Sequence, residues 1–168
     1  MRIKDLDGNI IFESNHNTIK ETAEAAVTQG ISLAKADLRC ANLTEANLIE
    51  AYLTGADLTR ADLTRANLTE ANLTEANLWR ADLTEANLTR ANLWRTYLTE
   101  ANLSRTNLTR ANLTEANLTE ADLTEANLTR TNLTRANLTN TNLTGTNFDP
   151  EYGPNQLELH FFQRNPCT

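Results

Sequence analysis

Leucine recurs at every fifth residue from Leu33 to Leu143, and Phe148 takes the next place, which makes 24 consecutive positions of one spacing. Two residues before each of these stands Ala or Thr, with Ile31 the single departure. The residue just before is Asn in 16 units and Asp in 5, and Thr dominates the residue just after. A period of five fits neither the 3.6-residue helix nor the two-residue strand, so neither can keep every leucine on one side. The chain must turn a corner in each unit, with two small or apolar positions facing inward and three facing out. A strict short period of this kind signals a repeat architecture before any local propensity is considered.

The flanks carry a different pattern. Arg2 to Leu6 and Asn9 to Glu13 read as strands about Asp7-Gly8, a dipeptide suited to a type I′ turn. Thr18 offers a helix N-cap with Glu21 three residues on to complete a capping box. Ile19, Ala23, Ala26 and Val27 share one helical face, and Gly30 suits the position after the helix. Residues 1–30 are thus expected to form a hairpin and a capping helix, and residues 31–150 the repeat domain. Past Asp149-Pro150, Leu157, Leu159 and Phe161 alternate with polar residues, so residues 151–168 are expected to cap the far end or to mediate association.

The unit, as in Ala36-Asp37-Leu38, Ala71-Asn72-Leu73 and Ala121-Asp122-Leu123, resembles the consensus A(D/N)LXX of the pentapeptide-repeat family. That resemblance implies an all-β solenoid: a right-handed quadrilateral parallel β-helix with four units per coil. Residue i then lies beneath residue i+20. About six coils at a spacing of about 4.8 Å imply a rod roughly 29 Å long. Type II corners, common in the family, want φ > 0 at the third turn residue and so favour Gly. Here that position is mostly Glu or Arg, with Gly only at 55 and 145, so the corners are expected either to avoid type II or to tolerate left-handed strain.

The 20-residue coil can be checked on the charges. Every fifth residue falls into one of four columns. One reads Lys35, Gly55, Glu75, Arg95, Glu115, Arg135, and the one opposite reads Glu45, Arg65, Glu85, Arg105, Glu125, Gly145. Over all four columns nine adjacent charged pairs are opposite in sign and five are alike, which fits pairing between neighbouring coils. Stacked Asn side chains are expected to add amide ladders along the axis.

Composition narrows the function. Only 5% of residues are aromatic against 40% hydrophobic, so the core is aliphatic. Formal net charge is −7, with eleven Lys or Arg against fifteen Asp or Glu inside the repeats, and no basic stripe for nucleic acid. No apolar run reaches the ~20 residues of a membrane span, and the N-terminus lacks a secretory apolar region, so a cytoplasmic location is expected. Cys40 and Cys167 match no metal-ligand spacing, and His16 and His160 lie outside the repeats. No catalytic, cofactor or metal motif is present. A non-enzymatic structural or protein-binding scaffold is the expectation.

Departures from the repeat mark the candidate interface. Trp79 and Trp94 replace Thr, and Tyr52 and Tyr97 replace Asn or Asp. Trp79 and Tyr97 fall on one face in adjacent coils, with Trp94 around the corner. The corner column Cys40, Arg60, Arg80, Glu100, Glu120, Asn140 is basic in its first half and acidic in its second. An antiparallel two-fold contact would set Arg60 against Glu120 and Arg80 against Glu100, so an unknown protein partner or a second copy of the chain is expected there. The family resemblance also implies another reading, a DNA mimic that binds a type II topoisomerase. Arginine interrupts every face, whereas an imitation of a phosphate lattice should be acidic along a whole side.

Overall fold

The structure is a computed structural model and describes residues 1–148. The expectation for residues 151–168 lies outside the described residues. Parallel bridges join each residue before a leucine to its counterpart 20 residues on, from Asp37↔Asp57 through Asp122↔Asn142. The last such pairing joins β3 (Asn127–Leu128) to β4 (Asn147–Phe148). One turn of the chain therefore takes 20 residues.

One unit shows why the backbone accepts this path. In Ala81-Asp82-Leu83-Thr84-Glu85 the Leu83 and Glu85 N–H groups donate to Asn102 and Ser104 carbonyls of the following coil, at 2.7 and 3.0 Å. Asp82 N–H donates back to Ala61 at 2.9 Å, and Ala81 N–H closes the preceding corner on Leu78 at 3.0 Å. The remaining donor, Thr84 N–H, goes to Oδ1 of Asp82 at 2.9 Å. All five donors of the unit are satisfied, as a solenoid with so little conventional strand requires.

That last bond corrects the expected amide ladders. The Asn or Asp before each leucine turns back on its own unit, its Oδ1 taking the backbone N–H two residues on, as at Asn87–Thr89 (3.1 Å) and Asn117–Thr119 (3.1 Å). The Thr hydroxyl usually donates to the same oxygen, at 2.6 Å in both. Among the described residues one Asn-to-Asn bond runs along the axis, from Asn112 to Asn92. Only an acceptor oxygen is needed, so Asn and Asp interchange freely.

The corners accept left-handed backbone. Twenty-one non-glycine residues, from Lys35 to Asn140, have φ between 54° and 61°, beside Gly55 and Gly145. Each sits third in a four-residue turn closed by a bond such as Ala86 N–H to Leu83 (2.9 Å), with no positive φ at the second residue, which is type II geometry. The conformation costs an L-residue about 1–2 kcal/mol. The corner N–H bonds to the next coil and full burial of the leucine offset it.

The core is the Leu column and the Ala column: Leu43 through Leu123 are each 0% exposed. A fully buried leucine contributes about 1.5–3 kcal/mol. Where Thr replaces Ala, at Thr96, Thr106, Thr131 and Thr141, the buried hydroxyl donates to a leucine carbonyl 23 residues earlier, at 2.7–3.1 Å. The core thus admits the hydroxyl without an unsatisfied group.

At the N-terminus, β1 (Arg2–Lys4) and β2 (Ile10–Glu13) form the expected antiparallel hairpin. Its turn differs from the expected type I′. Gly8 alone takes positive φ, 89°, while Gly8 N–H bonds to Asp5 and Asp5 N–H to Asn9. The cause is Asp5, whose Oδ1 accepts from Asp7 N–H and Asn9 N–H at 3.0 and 2.7 Å and so closes a longer loop. Helix α1 (Ile19–Thr28) starts at the Thr18–Glu21 capping box and ends with Gly30 N–H on Val27 and Ile31 N–H on Ala26, the double bond pattern that glycine permits. Ile3, Ala23 and Ala26 join the core cluster of Leu33 and Ala36. Asp37 N–H reaches the Lys4 carbonyl at 2.8 Å, and Asn47 N–H reaches the Glu24 carboxylate at 2.8 Å.

Candidate functional site

The charged corners behave as the columns of 20 require. Arg65 bridges Glu45 (3.6 Å) and Glu85 (2.9 Å), and Arg105 bridges Glu85 (3.5 Å) and Glu125 (3.0 Å). Arg95 and Arg135 reach Glu115 at 2.7 and 3.8 Å, Arg90 reaches Glu70 at 2.9 Å, and Arg80 reaches Glu100 at 2.7 Å. Such exposed pairs are worth about 0.2–1 kcal/mol each and serve register more than stability.

Trp79, Tyr97 and Trp94 project outward from positions where the repeat carries Thr or Asn. The bridge Asn77↔Tyr97 puts Trp79 and Tyr97 on adjacent coils of one face. Between them lies an open groove of about 420 Å³, lined by Glu75, Asn77, Trp79, Tyr97 and Thr99. Tyr97 is 55% exposed, far more than a ring needs in order to cover its neighbours. Trp79 is half-buried because two guanidiniums lie over its ring, Arg80 at 4.5 Å and Arg60 at 5.2 Å. Its indole N–H donates to Glu100 at 3.3 Å, and Arg80 Nε donates to the other oxygen of that carboxylate at 2.7 Å. The Arg80 hydrogen bond, helped by the indole, holds the Glu100 carboxyl below the usual carboxylate range. The ring is thereby locked in place. Trp94, on the neighbouring face, is covered by Arg95 at 4.4 Å.

The structure brings Trp79, Arg60, Arg80 and Glu100 into one contact cluster with Tyr97 across the groove. Glu120 lies one coil beyond Glu100 in the same column, exposed and outside this cluster. Arg80 and Glu100, which an antiparallel self-contact would set against each other between two chains, are bonded to each other within one. The sequence reading missed Glu75, which follows from its neighbours: Gly55 above it has no side chain, and Trp94 stands beside Arg95 below it. Tyr52, 59% exposed, stands apart from this face. Among the described residues no group of His, Cys, Asp and Glu is placed to hold a metal, and no helix is long and apolar enough to cross a membrane.

The model of pentapeptide repeats matches in segments spanning residues 29–65, 66–105, 76–114, 86–124 and 111–149. The chain belongs to the pentapeptide-repeat family. Pentapeptide-repeat proteins recur among the similar solved structures. One is Rfr23 from the cyanobacterium Cyanothece 51142, 46% identical over 52% of this chain and 60% of that one, with a TM-score of 0.52. This chain therefore spans 60% of the length of that relative. A pentapeptide-repeat protein of the Arabidopsis thaliana thylakoid lumen is 27% identical over 64% of this chain and 72% of that one (TM-score 0.47). QnrB1, a plasmid-mediated fluoroquinolone resistance protein, is 18% identical over 73% and 72% (TM-score 0.28), a likeness too distant to bear on binding. No curated protein matches the chain. The pentapeptide-repeat neighbours imply the right-handed quadrilateral β-helix, with which the 20-residue bridges agree.

Proposed function

We propose that the chain is a rigid, non-enzymatic scaffold of about six coils that binds a protein partner through its Trp79–Tyr97 face. The hairpin and α1 act as the cap of the first coil, since their Lys4 carbonyl and Glu24 carboxylate take the Asp37 and Asn47 N–H groups that have no preceding coil to bond. The observation that carries the reading is a locked indole beside an exposed tyrosine, among the short polar side chains of Thr59, Asn77, Thr99 and Asn117. Rigid aromatic groups give contact area at little entropic cost and are enriched at interface centres. The Arg80–Glu100 pair uses up two of the four charges that a self-contact would have joined, which favours a different chain as partner. We place that encounter in the cytoplasm.

Affinity capture from the native cell with the wild-type chain and with the double variant Trp79→Thr/Tyr97→Asn tests the reading. Both substitutions restore the repeat's own residue types, so the fold is kept. Loss of a captured protein from the variant alone is the expected result, and identical captures would overturn it.

A further inference from the structure

We propose that the groove between Trp79 and Tyr97 takes a lysine or arginine side chain of the partner protein, with Glu75 as its counter-ion; this rests on the reading of that face as the partner-binding surface. Nine neighbouring pairs in the corner columns are opposite in sign. Eight of them are in ion-pair contact. The exception is Glu75 with Arg95. Arg95 lies over the Trp94 ring at 4.4 Å and gives its Nε to Glu115 at 2.7 Å, on the side away from Glu75. On the other side the corner is Gly55, which offers no side chain of its own and is overlain by the stem of Lys35 from the coil before. Among the described residues, Glu75 is thus an exposed carboxylate outside ion-pair contact: Arg95 still acts on it through space but gives its hydrogen bond to Glu115 and lies over Trp94.

That carboxylate sits at the rim of the aromatic groove. The about 420 Å³ between the rings accepts the aliphatic stem of a lysine or arginine, which gains contact along them. The charged head gains from the exposed Tyr97 ring and from Glu75. Orientation follows from the other end. Arg60 and Arg80 occupy the surroundings of Trp79, so an entering cation is repelled there and drawn toward Glu75. Trp94 enters this scheme without touching the ligand: by holding Arg95 it keeps Glu75 open.

The test titrates the isotope-labelled chain with an eight-residue Gly/Ser peptide carrying one central lysine, and with the same peptide acetylated at that lysine. Amide shifts of residues 75, 77, 79, 97 and 99 are expected to saturate with the lysine peptide. Acetylation, Glu75→Gln or Tyr97→Asn should weaken the response at least about fivefold, and Trp94→Thr should weaken it too. Unchanged amide dispersion elsewhere verifies that each variant is folded. Shifts spread evenly over all acidic corners, shifts indifferent to Glu75→Gln, or no shifts at these residues would overturn the proposal. Failure here is separable from failure of the interface itself. A partner captured by Glu75→Gln but lost from Trp79→Thr/Tyr97→Asn leaves the face standing without the cation, whereas one captured by both removes the face.

Discussion

Asn87 illustrates how single residues hold this rod. Its Oδ1 takes the Thr89 N–H at 3.1 Å and the Thr89 hydroxyl at 2.6 Å, so it supplies the one bond that neighbouring coils cannot. Asn87→Asp keeps the acceptor and is expected to be nearly neutral in urea unfolding, as Asp82 is in the same role. Asn87→Ala strands a backbone donor and should cost about 1–3 kcal/mol; equal stabilities for the two variants would discredit the local-turn role. Arg110 tests the corner, because its φ is 61°. Relief of the left-handed cost, less the extra freedom glycine gains on unfolding, predicts that Arg110→Gly stabilises by ~0.5–1 kcal/mol. Arg110→Val, β-branched, should destabilise. The corner strain was legible as one of two alternatives, because a position that wants glycine carries Glu or Arg; the Asn role was not. The composition of each position was plain, but whether Asn bonds along the axis or within its unit depends on where the corner aims the next N–H.

At the level of the ladders and the hairpin, the charge columns were legible and the turn was not. Charges 20 residues apart meet because the coil has a fixed length, and counting alone exposes that. The hairpin turn instead depends on one side chain, Asp5, outcompeting the two-residue turn that Asp7-Gly8 suggests. The ladders also predict an acid response. The Arg65 hydrogen bond holds the Glu85 carboxyl below its usual range, Arg80 does the same for Glu100, and the Thr64 backbone and hydroxyl bonds do so for Asp62. Depressed folded-state values mean that the unfolded chain binds more protons in mild acid. The stabilisation is complete above the unfolded carboxylate values and drains away as pH falls through the folded ones. Thermal melts are expected to drop from about pH 5 to about pH 3, and Glu85→Gln should flatten that slope. A Glu85→Gln slope equal to the wild type's would show the ladder to be decorative.

For the rod as a whole, the leucine column announced the architecture because inward positions must repeat once per corner. Leu83 lies in the middle of that column, 0% exposed. Leu83→Ala is expected to lower unfolding free energy by about 2–5 kcal/mol in urea denaturation. The aromatic departures were equally visible, since a strict repeat makes every exception conspicuous. Glu75 escaped notice because it conforms to the repeat; its distinction lies in what Trp94 does to Arg95, a contact between side chains that no column count displays. Whether that face binds a partner is best settled by placing a photocrosslinking residue at Tyr97 and, separately, at Asn107 on the opposite face, then irradiating in the native cell. Adducts to a partner from position 97 and none from position 107 are predicted. Adducts from 107 alone, or equally from both, would contradict a binding surface at Trp79 and Tyr97.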